Sequence, residues 1–335
     1  MSIAPRAFIC GCAGVALSAD EIAFIRQWRP WGLILFKRNI GAPADVAALT
    51  ARFREIVGRA DAPVLIDQEG GRVQRMGPPH WPKYPPAAAF AGIGGVEVAR
   101  DAARLMANDL RAVGVTVDCL PVLDVPAPDG HQIIGDRAYG PTPAVVAEFG
   151  RAVAEAMLAG GVLPVIKHIP GHGRALADSH LELPVVHASR AELEATDFAP
   201  FRALADMPVA MTAHVVYTAL DPAGPATTSA RVVADIIRGH IGFDGLLMSD
   251  DMSMKALGGS FGERAAATFR AGVDLALHCN GDLGEATAVA EVAPILGGRS
   301  LERAERALSL IAGPHVATNL VDARARLDSA IAGLA

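Results

Sequence analysis

Short apolar runs recur along the chain, and between them apolar residues return at helical spacing. Runs rich in β-branched residues and bounded by Gly or Pro are typical of strands, whereas a period near 3.6 is typical of helices. The runs predict strands over 7–9, 32–36, 64–66, 115–120, 163–166, 209–212, 245–248 and 273–277. The intervening stretches predict helices over 43–57, 96–113, 143–159, 192–205, 232–238 and 261–271, and a helical tail over 301–335.

The predicted strands are continuously apolar rather than alternating, which is the pattern of a parallel sheet covered on both faces. About eight strand-then-helix units in 335 residues favour an α/β fold, a (β/α)₈ barrel of the TIM type, over an open doubly wound sheet. No linker or change of composition divides the sequence. We therefore expect a single barrel domain over 1–335.

Polar residues follow the predicted strands at their C-terminal ends. They are Lys37 to Asn39, Asp67, Asp124, Lys167 with His168, His214, Asp250 with Asp251, and His278. A barrel brings all these ends to one face, which is where barrel active sites lie. The sequence thus predicts a catalytic face.

Composition narrows the class of protein. Hydrophobic residues make up 51% of the chain and charged residues 20%, so a large core is expected and disorder is not. The net charge of −6 argues against a nucleic-acid partner. No apolar run approaches the roughly 18 residues of a membrane span, and the first residues do not resemble a secretory signal. These features predict a cytoplasmic protein that does not bind membranes, whose four cysteines are reduced and mostly buried.

The densest group of reactive side chains lies over 167–180. Lys-His-Ile-Pro-Gly-His-Gly occupies 167–173, directly after a predicted strand, and Asp178, Ser179 and His180 follow. Loop hydrogen bonding alone is one interpretation. A metal site formed by His168, His172, His180 and Asp178 is another, although the spacing matches no recognised zinc signature. The favoured interpretation is metal-free acid/base chemistry, in which Asp178 orients and polarises His180.

A second candidate segment is Ser-Asp-Asp at 249–251, at the end of a predicted strand. Asp250 is positioned to point into the barrel mouth as a nucleophile or as a charge stabiliser. For Asp251, a helix N-cap is the structural expectation.

Two further segments supply candidate ligand-binding groups. Asp-Gln-Glu-Gly-Gly-Arg-Val-Gln-Arg occupies 67–75, where the paired glycines permit a sharp turn but do not form a dinucleotide-binding fingerprint. Asp67 can accept hydrogen bonds from vicinal hydroxyls, and Arg75 offers a fork of donors. A structural Asp67–Arg75 ion pair is the alternative. In Gly-Asp-Arg at 135–137, Asp136 is expected in a turn and Arg137 is a further donor.

Together these four segments resemble glycoside hydrolase family 3, in its single-domain bacterial β-N-acetylglucosaminidase branch. The resemblance spans essentially the whole barrel, with Ile169 in place of the family's usual Phe. It implies that Asp250 is the nucleophile and that His180, assisted by Asp178, is the general acid/base. It also implies a set of sugar-binding residues, namely Asp67, Arg75, Arg137, Lys167 and His168.

The resemblance implies a retaining exo-hydrolase that needs no metal or cofactor and acts on 1,6-anhydro-muropeptide fragments during peptidoglycan recycling. Phosphate is a conceivable alternative to water as acceptor, because a neutral imidazole would not repel it and the nearby cations would attract it. A nucleophilic 2-acetamido oxygen of the substrate, polarised by Asp250 and Asp251, is a different mechanism. The alternatives in function are a β-glucosidase or β-xylosidase of the same family, a metal-dependent hydrolase and a non-catalytic sugar-binding barrel.

Overall fold

The computed structural model describes residues 4–127, 133–175, 179, 182–313, 315 and 319–333. Its strands are β1 (Arg6–Cys10), β2 (Pro30–Leu35), β3 (Val64–Ile66), β4 (Gln68–Gly70), β5 (Val73–Gln74), β6 (Val117–Asp118), β7 (Leu163–Ile169), β8 (Val185–Val186), β9 (Val209–Thr212), β10 (Val216–Tyr217), β11 (Leu246–Asp251) and β12 (Leu275–His278).

The barrel is closed by eight of these strands, in the order β1-β12-β11-β9-β7-β6-β3-β2. Every strand in this ring runs parallel to both of its neighbours. The α/β barrel predicted from the sequence is therefore confirmed. The remaining strands form two small pairs, β4 with β5 and β8 with β10, in loops that follow barrel strands.

Helices surround this sheet. They are α1 (Ala19–Trp28), α2 (Pro43–Val57), α3 (Phe90–Ile93), α4 (Gly95–Ala112), α5 (Pro143–Ala159), α6 (Arg190–Ala195), α7 (Ala199–Ala203), α8 (Phe261–Arg270), α9 (Leu283–Val292), α10 (Gly298–Ser309) and α11 (Leu320–Ala332), with a π-helical segment at Val232–His240 and short 3₁₀ turns at Lys37–Asn39, Ala87–Ala89, Gly135–Arg137 and Ala226–Thr228. The helices predicted over 43–57 and 143–159 match at both ends.

Two helix predictions were wrong in the same way, because each joined two helices into one. The stretch 192–205 breaks between α6 and α7. Pro200 lies in the first turn of α7, where it has no N–H to donate to the carbonyl of Thr196, so one continuous helix cannot run through both segments. The tail divides into α10 and α11, and Gly313 lies between them with φ of +100°, outside the helical region.

The interior of the barrel is filled with apolar side chains from all eight strands, among them Ile9, Ile34, Leu65, Val117, Val165, Val209, Leu246 and Leu275. The polar strand ends consequently project beyond a packed core, toward one face. All four cysteines are buried and unpaired, as predicted, and burial raises the pKa of Cys12 to about 12. Among the described helices, none has the length and apolarity needed to span a membrane.

Candidate active site

A cavity of about 320 Å³ opens at the C-terminal ends of the barrel strands. Its lining includes all five predicted sugar-binding residues and the predicted nucleophile, namely Asp67, Arg75, Arg137, Lys167, His168 and Asp250. These residues come from four separate strand ends and loops. The structure therefore brings together every predicted site residue that it describes.

Five charged side chains of alternating sign form a continuous chain of ion pairs along one wall. We call Arg75, Asp67, Lys167, Glu69 and Arg137 the charge chain. Asp67 is 3.0 Å from Arg75 Nη2 and 2.9 Å from Lys167 Nζ. Lys167 Nζ is also 2.6 Å from Glu69 Oε1, and Glu69 accepts two hydrogen bonds from the guanidinium of Arg137, at 2.7 and 2.8 Å. The Asp67–Arg75 ion pair thus exists, as one end of the charge chain.

The paired glycines shape this wall. Gly70 and Gly71 have φ of +90° and +56°, and they make the turn between β4 and β5 that folds Arg75 back onto Asp67. A Cβ at Gly70 would lie 2.3 Å from the carbonyl oxygen of Pro85, so no side chain fits there. The sharp turn that the sequence indicates at this point is confirmed.

Glu69 is a site residue that the sequence reasoning did not single out. Burial opposes its ionisation, but Lys167 and Arg137 outweigh burial and lower the pKa of Glu69 to about 2. The same two influences, burial against Lys167 and Arg75, hold the pKa of Asp67 well below its ordinary value. The sequence did offer one signal for Glu69, which is its position between Asp67 and the paired glycines.

The low pKa of Glu69 predicts how stability depends on pH. Its stabilising charge is fully present above its ordinary value of 4.5 and is lost as the pH falls toward about 2. We expect Glu69→Gln to lower the free energy of unfolding by about 3 kcal/mol at pH 7, because two buried cations lose a partner. The difference from wild type should narrow below pH 4.5 in urea unfolding curves.

Glu55→Gln is the matched control, because Glu55 is an exposed glutamate that pairs only at the surface with Arg52. If the difference in free energy of unfolding between wild type and Glu69→Gln stays constant from pH 7 to pH 3, the carboxylate of Glu69 is not stabilised by the charge chain.

Asp124 holds His168 in place. The sequence predicted that Asp124 lies on the catalytic face but gave it no role. His168 Nδ1 lies 2.6 Å from Asp124 Oδ2, and the other oxygen of Asp124 accepts the backbone N–H groups of His168 and His172 at 3.2 and 2.6 Å. Burial raises the pKa of Asp124, but His168 and His172 reverse that shift and the pKa falls below its ordinary value. The ionised carboxylate fixes the proton on Nδ1, which leaves Nε2 for a substrate hydroxyl.

His172, one of the residues considered above as a metal ligand, contacts Ser179. Its Nε2 lies 3.3 Å from the hydroxyl of Ser179, and burial, with the charge of His168, lowers its pKa to about 4. The imidazole is therefore neutral at pH 7. No group of three or more His, Cys, Asp or Glu side chains within the described part of the chain is arranged to hold a metal ion. Asp178 and His180 lie outside the described residues, so the Asp178–His180 dyad stays a prediction.

Asp250 lies at the end of β11 and lines the cavity. Burial raises its pKa, but the neighbouring imidazoles of His168 and His214 and the N–H of Asp251 prevail, so the pKa lies below its ordinary value. Asp250 is consequently a carboxylate at neutral pH, as a nucleophile must be. The adjacent Ser249 accepts the N–H of Leu277 at 2.9 Å and fixes the end of β11 against β12.

The N-cap expectation for Asp251 was wrong. The next helix, α8, begins at Phe261 and is capped by Ser260. The carboxylate of Asp251 instead accepts the N–H groups of Ser253 and Cys279 at 3.0 and 3.1 Å, and the hydroxyl of Ser253. It closes a tight turn directly after β11 and ties that turn to the backbone just beyond β12.

Several charged groups predicted on this face are held in ion pairs. Asp136 lies in the 3₁₀ turn Gly135–Arg137 and pairs with Arg72 at 2.9 Å, in agreement with the predicted turn. Lys167, Arg75 and Arg137 are each paired with carboxylates of the charge chain. The idea that these cations would attract phosphate is weakened accordingly, because their charge is largely neutralised by Asp67 and Glu69.

Comparisons with known proteins place this geometry in context. Residues 12–307 match the model of the glycosyl hydrolase family 3 N terminal domain. A beta-hexosaminidase of Methylococcus capsulatus is 42% identical over 274 residues, which are 80% of each chain. A beta-hexosaminidase of Xanthomonas campestris is 37% identical over 310 residues, 88% of this chain and 89% of the relative.

Solved structures give the same result. NagZ from Neisseria gonorrhoeae, in complex with N-trifluoroacetyl-D-glucosamine, superposes with a TM-score of 0.85 at 29% identity and covers 98% of both chains. The same protein has also been solved in complex with zinc ion. A family 3 beta-N-acetylglucosaminidase from Paenibacillus sp. superposes with a TM-score of 0.80 at 32% identity, covering 96% of this chain and 61% of that longer one.

Proposed function

Because the chain belongs to glycosyl hydrolase family 3 and is a hydrolase of the β-N-acetylglucosaminidase type, we propose that it removes terminal β-linked N-acetylglucosamine with retention of configuration. The observation that carries the mechanism is the ionised Asp250 in a cavity walled by the charge chain. A buried carboxylate kept charged by its neighbours is suited to attack an electrophilic carbon and to stabilise positive charge that develops there.

In the proposed mechanism, Asp250 attacks the anomeric carbon while His180 donates a proton to the departing oxygen. The neutral imidazole then takes a proton from water, which hydrolyses the glycosyl-enzyme, and the two inversions restore the original configuration. Asp178 would keep His180 protonated for the first step. Asp67, Arg75, Arg137, Lys167 and His168 would bind the sugar hydroxyls.

The proposed substrate is a muropeptide fragment in which N-acetylglucosamine is linked to a 1,6-anhydro sugar that carries a peptide stem. Its support is the resemblance to the bacterial single-domain branch and the match to NagZ along the whole chain. We accordingly propose a cytoplasmic role in peptidoglycan recycling by a single barrel domain. Incubation with purified anhydro-muropeptide, followed by mass spectrometry, tests this directly, since release of one N-acetylglucosamine per fragment is the expected result.

Sugar specificity separates this proposal from a β-glucosidase or β-xylosidase. We expect kcat/KM on an aryl β-N-acetylglucosaminide to exceed that on the matching aryl β-glucoside by roughly 100-fold or more, because a site built around the acetamido group leaves polar groups unpaired when that group is missing. Equal rates on the two sugars, or a preference for the glucoside, would contradict the assignment. No turnover of either would favour a sugar-binding barrel.

The mechanism with the acetamido oxygen as nucleophile requires a pair of acids to polarise it. Asp251 is poorly suited to that task, because its carboxylate already accepts three hydrogen bonds from Ser253 and Cys279. Trapping of the glycosyl-enzyme distinguishes the two mechanisms. A fluorosugar with a good leaving group should leave a stable adduct on the peptide that contains Asp250, detected by mass spectrometry, and an intact unlabelled enzyme would exclude the covalent mechanism.

Metal dependence is tested separately, because the Neisseria relative has been crystallised with zinc ion. We propose a metal-free reaction in which zinc is not needed for turnover. Activity that survives exhaustive chelation supports this proposal, and activity that is lost on chelation and restored by zinc would contradict it.

A further inference from the structure

His214 is a buried histidine on the catalytic face to which the proposed mechanism gives no task. It follows β9, its side chain is fully buried, and both ring nitrogens have partners. Nε2 lies 3.0 Å from the carbonyl oxygen of Asp251, and Nδ1 lies 2.7 Å from the hydroxyl of Thr227. A carbonyl oxygen can only accept, so Nε2 carries a proton.

The direction of the remaining bonds follows from that proton. Burial lowers the pKa of His214 despite the opposing charge of Asp250, so the ring is neutral and its Nδ1 is an acceptor. The hydroxyl of Thr227 lies 2.7 Å from this Nδ1 and 3.1 Å from the carbonyl oxygen of Ala213, and the shorter contact is the one through which it donates to His214. The hydroxyl of Thr212, 2.8 Å from that of Thr227, can then donate to it. A directed line of hydrogen bonds runs from β9 through Thr227 and His214 to the end of β11.

Asp251 is the point at which this line meets the nucleophile. Its carbonyl is held by His214, and its carboxylate is held by Ser253 and the backbone of Cys279. A residue fixed at both groups has a fixed N–H, and that N–H donates to Asp250 Oδ1 at 2.8 Å. Within the described residues, Oδ2 of Asp250 has no hydrogen-bond partner.

We infer that His214 and Asp251 form a positioning unit that holds Asp250 by Oδ1 and presents Oδ2 to the anomeric carbon. Oδ2 forms the new bond to carbon as the glycosidic bond breaks, and the electron pair leaves with the aglycone oxygen, which takes a proton from the general acid. The inference rests on the proposed role of Asp250 as nucleophile. His214 is a positioning residue, since it acts through Asp251 and does not touch the substrate.

The test compares two replacements of His214 that differ in one donor. In His214→Gln the amide nitrogen can reach the position of Nε2 and still donate to Asp251, whereas the shorter side chain of His214→Asn cannot. We expect His214→Asn to lower kcat by about 10- to 100-fold, with KM within a few-fold of wild type, and His214→Gln to recover most of the loss. The rate of adduct formation with the fluorosugar should fall in parallel with kcat.

His278→Asn is the matched control, because His278 is also a buried histidine at the end of a barrel strand, but it pairs with Glu285 outside the cavity. If His214→Asn does not fold, Thr227→Val keeps the imidazole and removes only its orienting hydroxyl, and we expect it to lower kcat several-fold at unchanged KM.

Three results would overturn the inference: wild-type kcat in His214→Asn, equal losses in the Asn and Gln variants, or a loss that appears in KM alone. Fluorosugar labelling of Asp250 in the wild-type enzyme distinguishes a failure of this inference from a failure of the proposed function. If Asp250 is labelled and the His214 variants behave as wild type, only the positioning role is wrong. If Asp250 is not labelled, the nucleophile assignment itself fails.

Discussion

Asp250→Asn is expected to lower kcat/KM on an aryl β-N-acetylglucosaminide by roughly 10⁴-fold or more, the largest effect of any single substitution in this chain. The amide that replaces the carboxylate is a poor nucleophile, and it carries no charge to stabilise the developing oxocarbenium ion. The measurement is the steady-state rate, with the free energy of unfolding recorded alongside it. Substrate binding, measured by inhibition with N-acetylglucosamine, should change little, because the charge chain is left intact.

Asp244→Asn provides a matched control for this loss. Asp244 lies just before the opposite end of β11, where its carboxylate pairs with Arg299 and Arg303 on the surface side of the barrel. The same substitution there should leave kcat unchanged while it lowers stability slightly.

A chemical rescue distinguishes a lost nucleophile from a damaged site. In Asp250→Ala, azide can enter the space of the carboxylate and attack the anomeric carbon of a substrate with a good leaving group. The expected product is the α-glycosyl azide, since only one inversion takes place. A β-configured product, or an Asp250→Asn variant with more than about a hundredth of wild-type activity, would contradict the assignment of Asp250.

The barrel was predictable from the sequence because its evidence is local. Continuous apolar strands and amphipathic helices alternate, and each strand end carries a polar residue, so position along the chain indicates position on the catalytic face. Asp67, Lys167 and Asp250 were found in this way. The helix break at Thr196–Phe198 was missed because the composition there still resembles a helix, although Pro200 has no N–H with which to continue α6. The break before Leu320 does carry a local signal, Gly313 followed by a proline, which the helical composition of the tail as a whole outweighed.

The partners of these residues were not predictable, because pairing depends on contacts between distant segments. Lys167 and Asp67 are 100 residues apart, and His214 and Asp251 are 37 residues apart. Nothing local to Glu69 indicates that Lys167 and Arg137 would both reach it. The wrong prediction for Asp251 has the same cause. Its sequence neighbours alone suggest a helix cap, but closure of the barrel brings the N–H of Cys279 to its carboxylate.

His180→Ala is expected to have the second largest effect, and the effect should depend on the leaving group. Removal of a general acid costs about 10²- to 10⁴-fold when the departing oxygen needs a proton. A disaccharide substrate should therefore lose activity strongly, whereas an aryl glycoside with a very acidic phenol should form the glycosyl-enzyme at close to the wild-type rate. His187→Ala is the control, because His187 is an exposed histidine shortly after this loop, with a long contact to Thr218. A loss of equal size on both substrates would show that His180 does not act as the general acid.

Asp178→Ala tests whether the acid and its neighbour work as a pair. The described residue between them, Ser179, is buried, and its carbonyl accepts the N–H of Ala256 while its hydroxyl contacts His172, so the backbone next to both groups is anchored independently of Asp178. Loss of the carboxylate should therefore act on the imidazole rather than on the loop. A carboxylate favours the imidazolium, so without it the acid form is lost at lower pH, and the basic limb of the kcat/KM profile should move to lower pH while the rate falls. Near-native kcat with an unmoved basic limb would show that His180 works without Asp178.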